Sequence, residues 1–289
     1  MALTSLHAIR DLDLPIVGEH RSRSPGRRVA VELATIGAFY LAYSAARNRF
    51  GSASVPPDVA FENAHRIIGM ERSAGLFFET ELQAFFLGWQ PFVWSLNVFY
   101  GTFHFVVTGA TLAWLFMRLP YQYRRWRNTL AATTAFAIIG FSLFPVMPPR
   151  LLADCGLYGA CAGPPMVDTI AEIGGLWTFN SGAMESVSNQ YAAVPSLHIA
   201  WSLWCTAVVV SRWPRRRGRV VAAVSYPLVT LLAVLVTANH YWLDAVFGAL
   251  TLAGGAAAAG LLERCSVVTS VAGTRQPAGN IGLSGQPDQ

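Results

Sequence analysis

Six ionisable side chains stand inside or at the ends of strongly apolar runs: Glu32, His104, Arg150, His198, His240 and Asp244. A charge in hydrocarbon is costly, which makes each of them a candidate for function. His240 and Asp244 are four residues apart, so on a helix they share a face. A carboxylate beside an imidazole fixes its tautomer and stabilises its charged form, which prepares histidine as nucleophile or base. His198 can supply the complementary acid. Pro195 and Ser196 precede the helix that carries His198, and a helix N-terminus offers free N–H groups and a positive dipole end to an anion. Arg150 adds a guanidinium with the geometry to grip phosphate through two hydrogen bonds. Two histidines, a carboxylate, an arginine and a helix N-terminus describe metal-free phosphoryl transfer through a phosphohistidine.

Each of these residues has a blander reading. A lone histidine among membrane helices often serves only as a packing hydrogen bonder. Ser196 would be a plain N-cap, and Arg150 an interfacial anchor. Glu32 sits close enough to one end of its run to reach water. His104, within Tyr100-Gly101-Thr102-Phe103-His104-Phe105, either packs between helices or lines the pocket. Asn239 and Tyr241 flank His240 and would be placed to hold an acceptor hydroxyl.

The elements that position these groups follow from composition. Of 289 residues, 53% are hydrophobic and only 13% charged, with mean hydropathy +0.40. A soluble domain carries about 25% charged residues, so soluble enzyme folds are excluded. The net charge is +5, and all 21 basic residues are Arg. They lie in short blocks between apolar runs, which argues against nucleic acid as a partner. About 20 apolar residues cross the hydrocarbon core as a helix, and six segments qualify: 29–46, 91–117, 129–146, 191–211, 220–238 and 242–262. With six alternating spans, sixteen arginines fall on one side and five on the other, the five being Arg47, Arg49, Arg66, Arg72 and Arg150. The positive-inside rule then makes both termini cytoplasmic. In that topology 144–150, 191–198 and 239–244 meet at the outer face.

The expected fold is an all-α integral membrane protein, a six-transmembrane-helix bundle with interfacial helices on the outer side. Its catalytic domain spans 29–264, between disordered cytoplasmic tails at 1–28 and 265–289. Within 51–88, Phe61, Ala64 and Ile68, then Phe78, Leu82 and Phe85, fall at helical spacing, while Glu79, Glu81 and Gln83 face elsewhere. These helices either lie in the membrane interface or cap the bundle. Arg66 and Arg72 are placed to meet lipid headgroups, and Arg215-Arg216-Arg217 to meet anionic lipid on the cytoplasmic side. Cys155 and Cys161 share the outer loop, where a disulfide is permitted. Cys205 and Cys265 lack the neighbouring histidines that zinc would need.

Pro195-Ser196-Leu197-His198 and His240-x-x-x-Asp244 resemble the second and third signatures of the type 2 phosphatidic acid phosphatase superfamily. Leu197 before the histidine, and the Asn239-His240-Tyr241-Trp242-Leu243-Asp244 context, look most like its inositol phosphorylceramide synthase-like branch. Pro148-Pro149-Arg150 looks like that branch's substitute for the first signature. The resemblance covers residues 90–260 and implies a six-helix membrane bundle. It also implies that His240 is the phosphate-accepting nucleophile, Asp244 its orienting group and His198 the acid, with Ser196 and Arg150 holding phosphate. Two departures stand out. The phosphatase first signature needs a Lys and this chain has none, and Val234 stands where the third signature usually carries an Arg. Both favour a diester donor with less charge over a simple monoester.

The expected activity is transfer of a phospho-headgroup from a membrane lipid donor to a lipid or water acceptor, at the extracytoplasmic face of a bacterial cell membrane and without a cofactor. Water as acceptor makes the chain a phosphatase of lipid or polyprenyl (di)phosphates. Two other readings remain: a metal or haem site built on His104, His198 and His240, and a transporter or non-catalytic scaffold. The residues carry no expectation for oligomeric state.

Overall fold

The structure is a computed structural model that describes residues 25–50, 54–153, 164–176, 189–214 and 216–273. The disulfide expected between Cys155 and Cys161 lies outside the described residues. The chain forms two units, residues 1–42 and 43–289. The described part of the first is the N-terminal stretch of helix α1 (Pro25–Phe50). The second begins within that helix and continues through α2 (Pro57–Ser73), α3 (Glu79–Leu87), α4 (Gln90–Arg118), α5 (Pro120–Leu143), α6 (Pro149–Leu152), α7 (Thr169–Glu172), α8 (Leu197–Arg212), α9 (Arg217–Val236) and α10 (Trp242–Gly273). Among the described residues every regular element is a helix, and one isolated bridge pairs Val146 with Ala192. Helix α1 starts, and α10 ends, a few residues inside the segments expected to be tails.

Among the described residues four helices are long and apolar enough to cross a membrane: α1 over Val29–Ala46, α4, α9, and α10 over Trp242–Cys265. The helices at the other two expected spans are not among these four, and their bounds differ from those expected. Helix α5 starts at Pro120 instead of 129 and takes Arg124, Arg125 and Arg127 into its first turns. It stops at Leu143 because Pro145 drives the residue before it out of helical geometry. Helix α8 starts at Leu197 instead of 191, which leaves 16 residues. The six residues ahead of it are irregular, with a cis bond at Val194–Pro195.

Close helix approaches hold the second unit together. Helices α5 and α10 make its most extensive contact. Glycine at 255 permits this, since a Cβ there would stand 2.7 Å from the Thr133 amide nitrogen and 2.9 Å from its Cα. Pro227 interrupts α9 and leaves the Ala223 carbonyl without its helical donor. The Thr206 hydroxyl of α8 donates to that carbonyl at 2.6 Å, so the missing helical bond becomes a link between helices.

Helices α2 and α3 pack on one end of this unit. Ala60, Ala64, Ile67 and Ile68 form one core with Val146, Met147, Leu151, Tyr191 and Tyr241. On α3 Glu79 and Gln83 are the buried residues, and Phe85 is 80% exposed. The polar face turns inward because it has backbone to satisfy. Gln83 Nε2 donates to the carbonyls of Val167 and Val236, and its Oε1 accepts from the Val167 amide. Asn97 of α4 does the same for the next stretch, donating to the carbonyls of Thr169 and Gly174 and accepting from the Thr169 hydroxyl. These two side chains fasten 164–176 across the helix ends.

Candidate active site

Three irregular segments meet at one end of the unit. Phe144–Arg150 contains Pro145, Pro148 and Pro149, which keep most of it extended. The Val146 amide donates to the Tyr191 carbonyl, Met147 to Ala60, and Arg150 to Ala238. Asn63 donates to the Pro145 carbonyl, and the Tyr241 hydroxyl to that of Met147. The Ser196 amide donates to the Asp244 carbonyl at 3.1 Å. The turn from α9 into α10 runs through Ala238, at φ +52°, a left-handed conformation that costs a non-glycine residue about 1 kcal/mol. Backbone groups from all three segments are thereby satisfied by one another.

His240 lies on that turn and is 3% exposed. Its Nδ1 stands 3.1 Å from Asp244 Oδ2 and 2.9 Å from the Ala193 carbonyl oxygen. A carbonyl can only accept, so Nδ1 carries the proton and Nε2 presents its lone pair. Asp244, fully buried, is held in turn by the Tyr241 amide, which donates to the same Oδ2 at 2.9 Å. His240 Nε2 faces His198 Nδ1 at 3.3 Å. His198 is half-buried in the first turn of α8, stacked on Tyr100 with ring centroids 4.4 Å apart. The structure therefore brings His240, Asp244 and His198 together, a lone pair on one ring aimed at a donor on the other.

The three remaining candidates occupy different places. His104 lies against His198 with ring centroids 4.2 Å apart and bonds the Tyr100 carbonyl through Nδ1. With Phe105 and Trp201 it forms an aromatic wall beside His198. Ser196 caps α8, its hydroxyl accepting from the Ile199 amide at 3.4 Å, and is wholly buried. Arg150 is 5% exposed and divides its guanidinium among three acceptors. Nε donates to Asn239 Oδ1 at 3.0 Å, one terminal nitrogen to Asp168 Oδ2 at 2.6 Å, and the other to Gln190 Oε1. Through Asn239 it adjoins His240 directly.

Sequence reasoning missed several residues that support this centre. The Trp242 amide donates to Glu79 Oε1 and the Leu243 amide to Glu71 Oε1, each at 3.0 Å. With Asp244 on the Tyr241 amide, three carboxyl groups collect the free N–H groups that open α10. Burial, then the neighbouring Glu79 carboxylate, pushes Glu71 up to about 9, so it holds its proton at neutral pH. Asp168 and Gln190 were missed because they sit in sequence with no helical period. A carboxylate ahead of Thr-Ile-Ala, the cap of α7, was the one available signal for Asp168.

Among the described residues no three His, Cys, Asp or Glu side chains are grouped as metal ligands. A depression of about 490 Å³ lined by Arg72, Gly75, Phe77, Thr80, Glu81, Pro164 and Pro165 lies away from both histidines.

Comparison with curated proteins and with solved structures finds no match. A family model does match: that of the PAP2 superfamily covers residues 65–259, well over half the chain and every residue of the site above, and the chain belongs to that superfamily.

Proposed function

We propose that this chain is a membrane lipid phosphotransferase of the inositol phosphorylceramide synthase-like kind, working through a phosphohistidine on His240. Members of its superfamily are typically phosphatases or phosphotransferases acting on lipids, and the apolar helices agree with a multi-pass membrane enzyme. The observation that carries the finer reading is the tautomer of His240. Two acceptors on Nδ1 leave Nε2 as the nucleophilic atom, and that atom points at a second histidine.

In this mechanism a phosphodiester headgroup enters between the rings and opens the 3.3 Å contact. Nε2 attacks phosphorus, the bond to the leaving alcohol breaks, and His198 in its imidazolium form gives that oxygen a proton. His198 is then neutral and takes the proton of an acceptor hydroxyl, whose oxygen displaces the phosphate from His240. Asp244 stabilises the cationic ring of the intermediate. Arg150 and the first turn of α8, opened by Ser196, hold the phosphate oxygens. His104 lines the pocket beside the acid.

The spans, including α5 and α8, number six in this reading, with both termini cytoplasmic and the site extracytoplasmic. Exposed Met70 on α2, Phe85 on α3, and Leu76 and Phe78 between them suit the membrane interface. The aromatic wall beside His198 supports a pocket poor in water, which favours transfer over hydrolysis. The alternative within the same superfamily is a phosphatase of lipid or polyprenyl (di)phosphates.

Purified protein in nanodiscs, given headgroup-labelled phosphatidylinositol with and without ceramide or diacylglycerol, tests this beside a polyprenyl diphosphate. A labelled lipid that requires both acceptor and His240 establishes the transferase. Phosphate released from the diphosphate establishes the phosphatase instead. If His240→Ala leaves all turnover unchanged, the mechanism is wrong.

A further inference from the structure

Arg150, bonded to the residue that precedes His240, is already paired. Arg150 and Asp168 form an ion pair at 2.6 Å in which the arginine side chain is 4% exposed and the aspartate 22%. The aspartate is therefore the partner nearer to whatever reaches the site from outside.

Both partners are also held by other bonds. Segment 164–176 is fastened independently by Gln83 on Val167 and by Asn97 on Thr169 and Gly174. Arg150 is fastened independently by Asn239 and Gln190. What Asp168 does for the backbone is done by Oδ1, which caps α7 by accepting from the Ile170 and Ala171 amides at 3.1 Å. An asparagine caps as well as an aspartate. The negative charge on Oδ2 is thus left with one evident task, which is to offset Arg150.

We propose that Asp168 is a specificity-determining residue: by offsetting Arg150 it makes the site select a phosphodiester monoanion over a phosphate monoester or diphosphate of higher charge. This deepens the function proposed above and rests on it. Asp244 is already committed to His240, so Asp168 brings the Arg150 corner close to neutrality. A monoanion then meets a site whose remaining positive charge it matches, whereas each further charge on a ligand meets a carboxylate with no cation to spare. One unit charge several ångströms from a ligand, partly shielded, changes the preference between ligands differing by one charge about tenfold to a hundredfold.

The test uses the full chain in nanodiscs, as wild type, Asp168→Asn and Asp168→Glu. Each receives a phosphodiester lipid and its monoester counterpart, and in a separate arm inorganic phosphate, with binding read from the rise in melting temperature. The ratio of monoester to diester kcat/KM should climb about tenfold or more in Asp168→Asn and stay near wild type in Asp168→Glu. Affinity for inorganic phosphate should rise by a similar factor in Asp168→Asn alone. If only the lipid arm responds, recognition is of the lipid headgroup; if both respond, it is of the phosphate itself. An Asp168→Asn protein that melts normally with both readings unchanged overturns the proposal. If that variant does not fold, Asp168→Ser, which also caps a helix, takes its place. Should the wild type turn over no lipid at all, the function proposed above falls, and the phosphate arm still decides the role of Asp168.

Discussion

Gly248→Ala sets two physical effects against each other. Alanine favours a helix interior over glycine by about 1 kcal/mol, so propensity alone says that the change stabilises α10. The packing says the reverse. A Cβ at 248 would stand 2.5 Å from the Ser196 carbonyl oxygen, where ordinary contact begins at 3.4 Å, so the backbones must part by 0.9 Å. Neither gives easily. The Ser196 carbonyl accepts the first helical bond of α8, from Ala200, and the Ser196 amide is tied to the Asp244 carbonyl. Overpacking of this kind costs about 1–3 kcal/mol, which outweighs the propensity gain. His198 rides on the same turn of α8, two residues past Ser196. If the displacement passes to it undiminished, its distance from His240 grows from 3.3 Å to about 4.2 Å, beyond hydrogen-bonding range. A misplacement near 1 Å costs about a hundredfold in rate. Melting temperature and His240-dependent lipid turnover, both in nanodiscs, measure the outcome. Gly109→Ala is the control, since a Cβ there meets nothing within 4 Å and only the propensity gain should remain. Gly248→Ala with wild-type turnover and an equal or higher melting temperature would show that the approach of α10 to Ser196 does not position the histidine pair.

Asp244→Asn should leave the chain folded while lowering turnover by about two orders of magnitude or more, because the orienting charge on His240 is lost; equal activity would separate Asp244 from the chemistry. Glu71 is neutral in the fold up to about pH 9 but ionises near 4.5 once unfolded, so its contribution to stability is complete below pH 4.5 and disappears as pH rises through 9. The melting temperature of the wild type should accordingly fall across that interval, and Glu71→Gln, neutral throughout, should flatten the fall; identical pH profiles would remove Glu71 as its source. Asn97→Ala strands two backbone carbonyls and one hydroxyl that are now satisfied, at a cost of about 2–4 kcal/mol. Cleavage within 164–176 during limited proteolysis should then appear well before global unfolding, and an unchanged cleavage pattern would mean that Gln83 alone holds the segment.

Much of the site was legible because it is written in residue types that are expensive where they stand. The expectation that His240 and Asp244 share one helix does not hold, since α10 begins at Trp242 with His240 on the turn before it, but the structure still places the pair within hydrogen-bonding distance. Pro-Ser ahead of His198 is a helix start, and α8 begins there with Ser196 as its cap. The bounds of α5 and α8 were less legible. Hydropathy alone cannot weigh Arg124, Arg125 and Arg127 in a helix, nor foresee the backbone bonds from Val146 to Tyr191 and from Ser196 to Asp244 that engage 191–196.

Glu71, Glu79, Gln83 and Asp168 show where the sequence stops. On α3 the spacing separated Phe78, Leu82 and Phe85 from Glu79 and Gln83, but nothing local said that the two polar side chains would be the buried ones. In water an exposed Phe85 would be wrong; beside lipid it is free to turn outward, and the inward direction goes to whichever side chains can satisfy orphaned backbone. Which amides and carbonyls are orphaned depends on how α10, α9 and the 164–176 segment end against each other, a fact of three dimensions. By itself the sequence determined a helical membrane protein carrying a histidine pair with its carboxylate, because desolvation cost and helical period are local properties. The tertiary structure decided the partner of Arg150, the tautomer of His240 and the carboxylates behind α10, because each depends on a donor or acceptor supplied by a distant part of the chain.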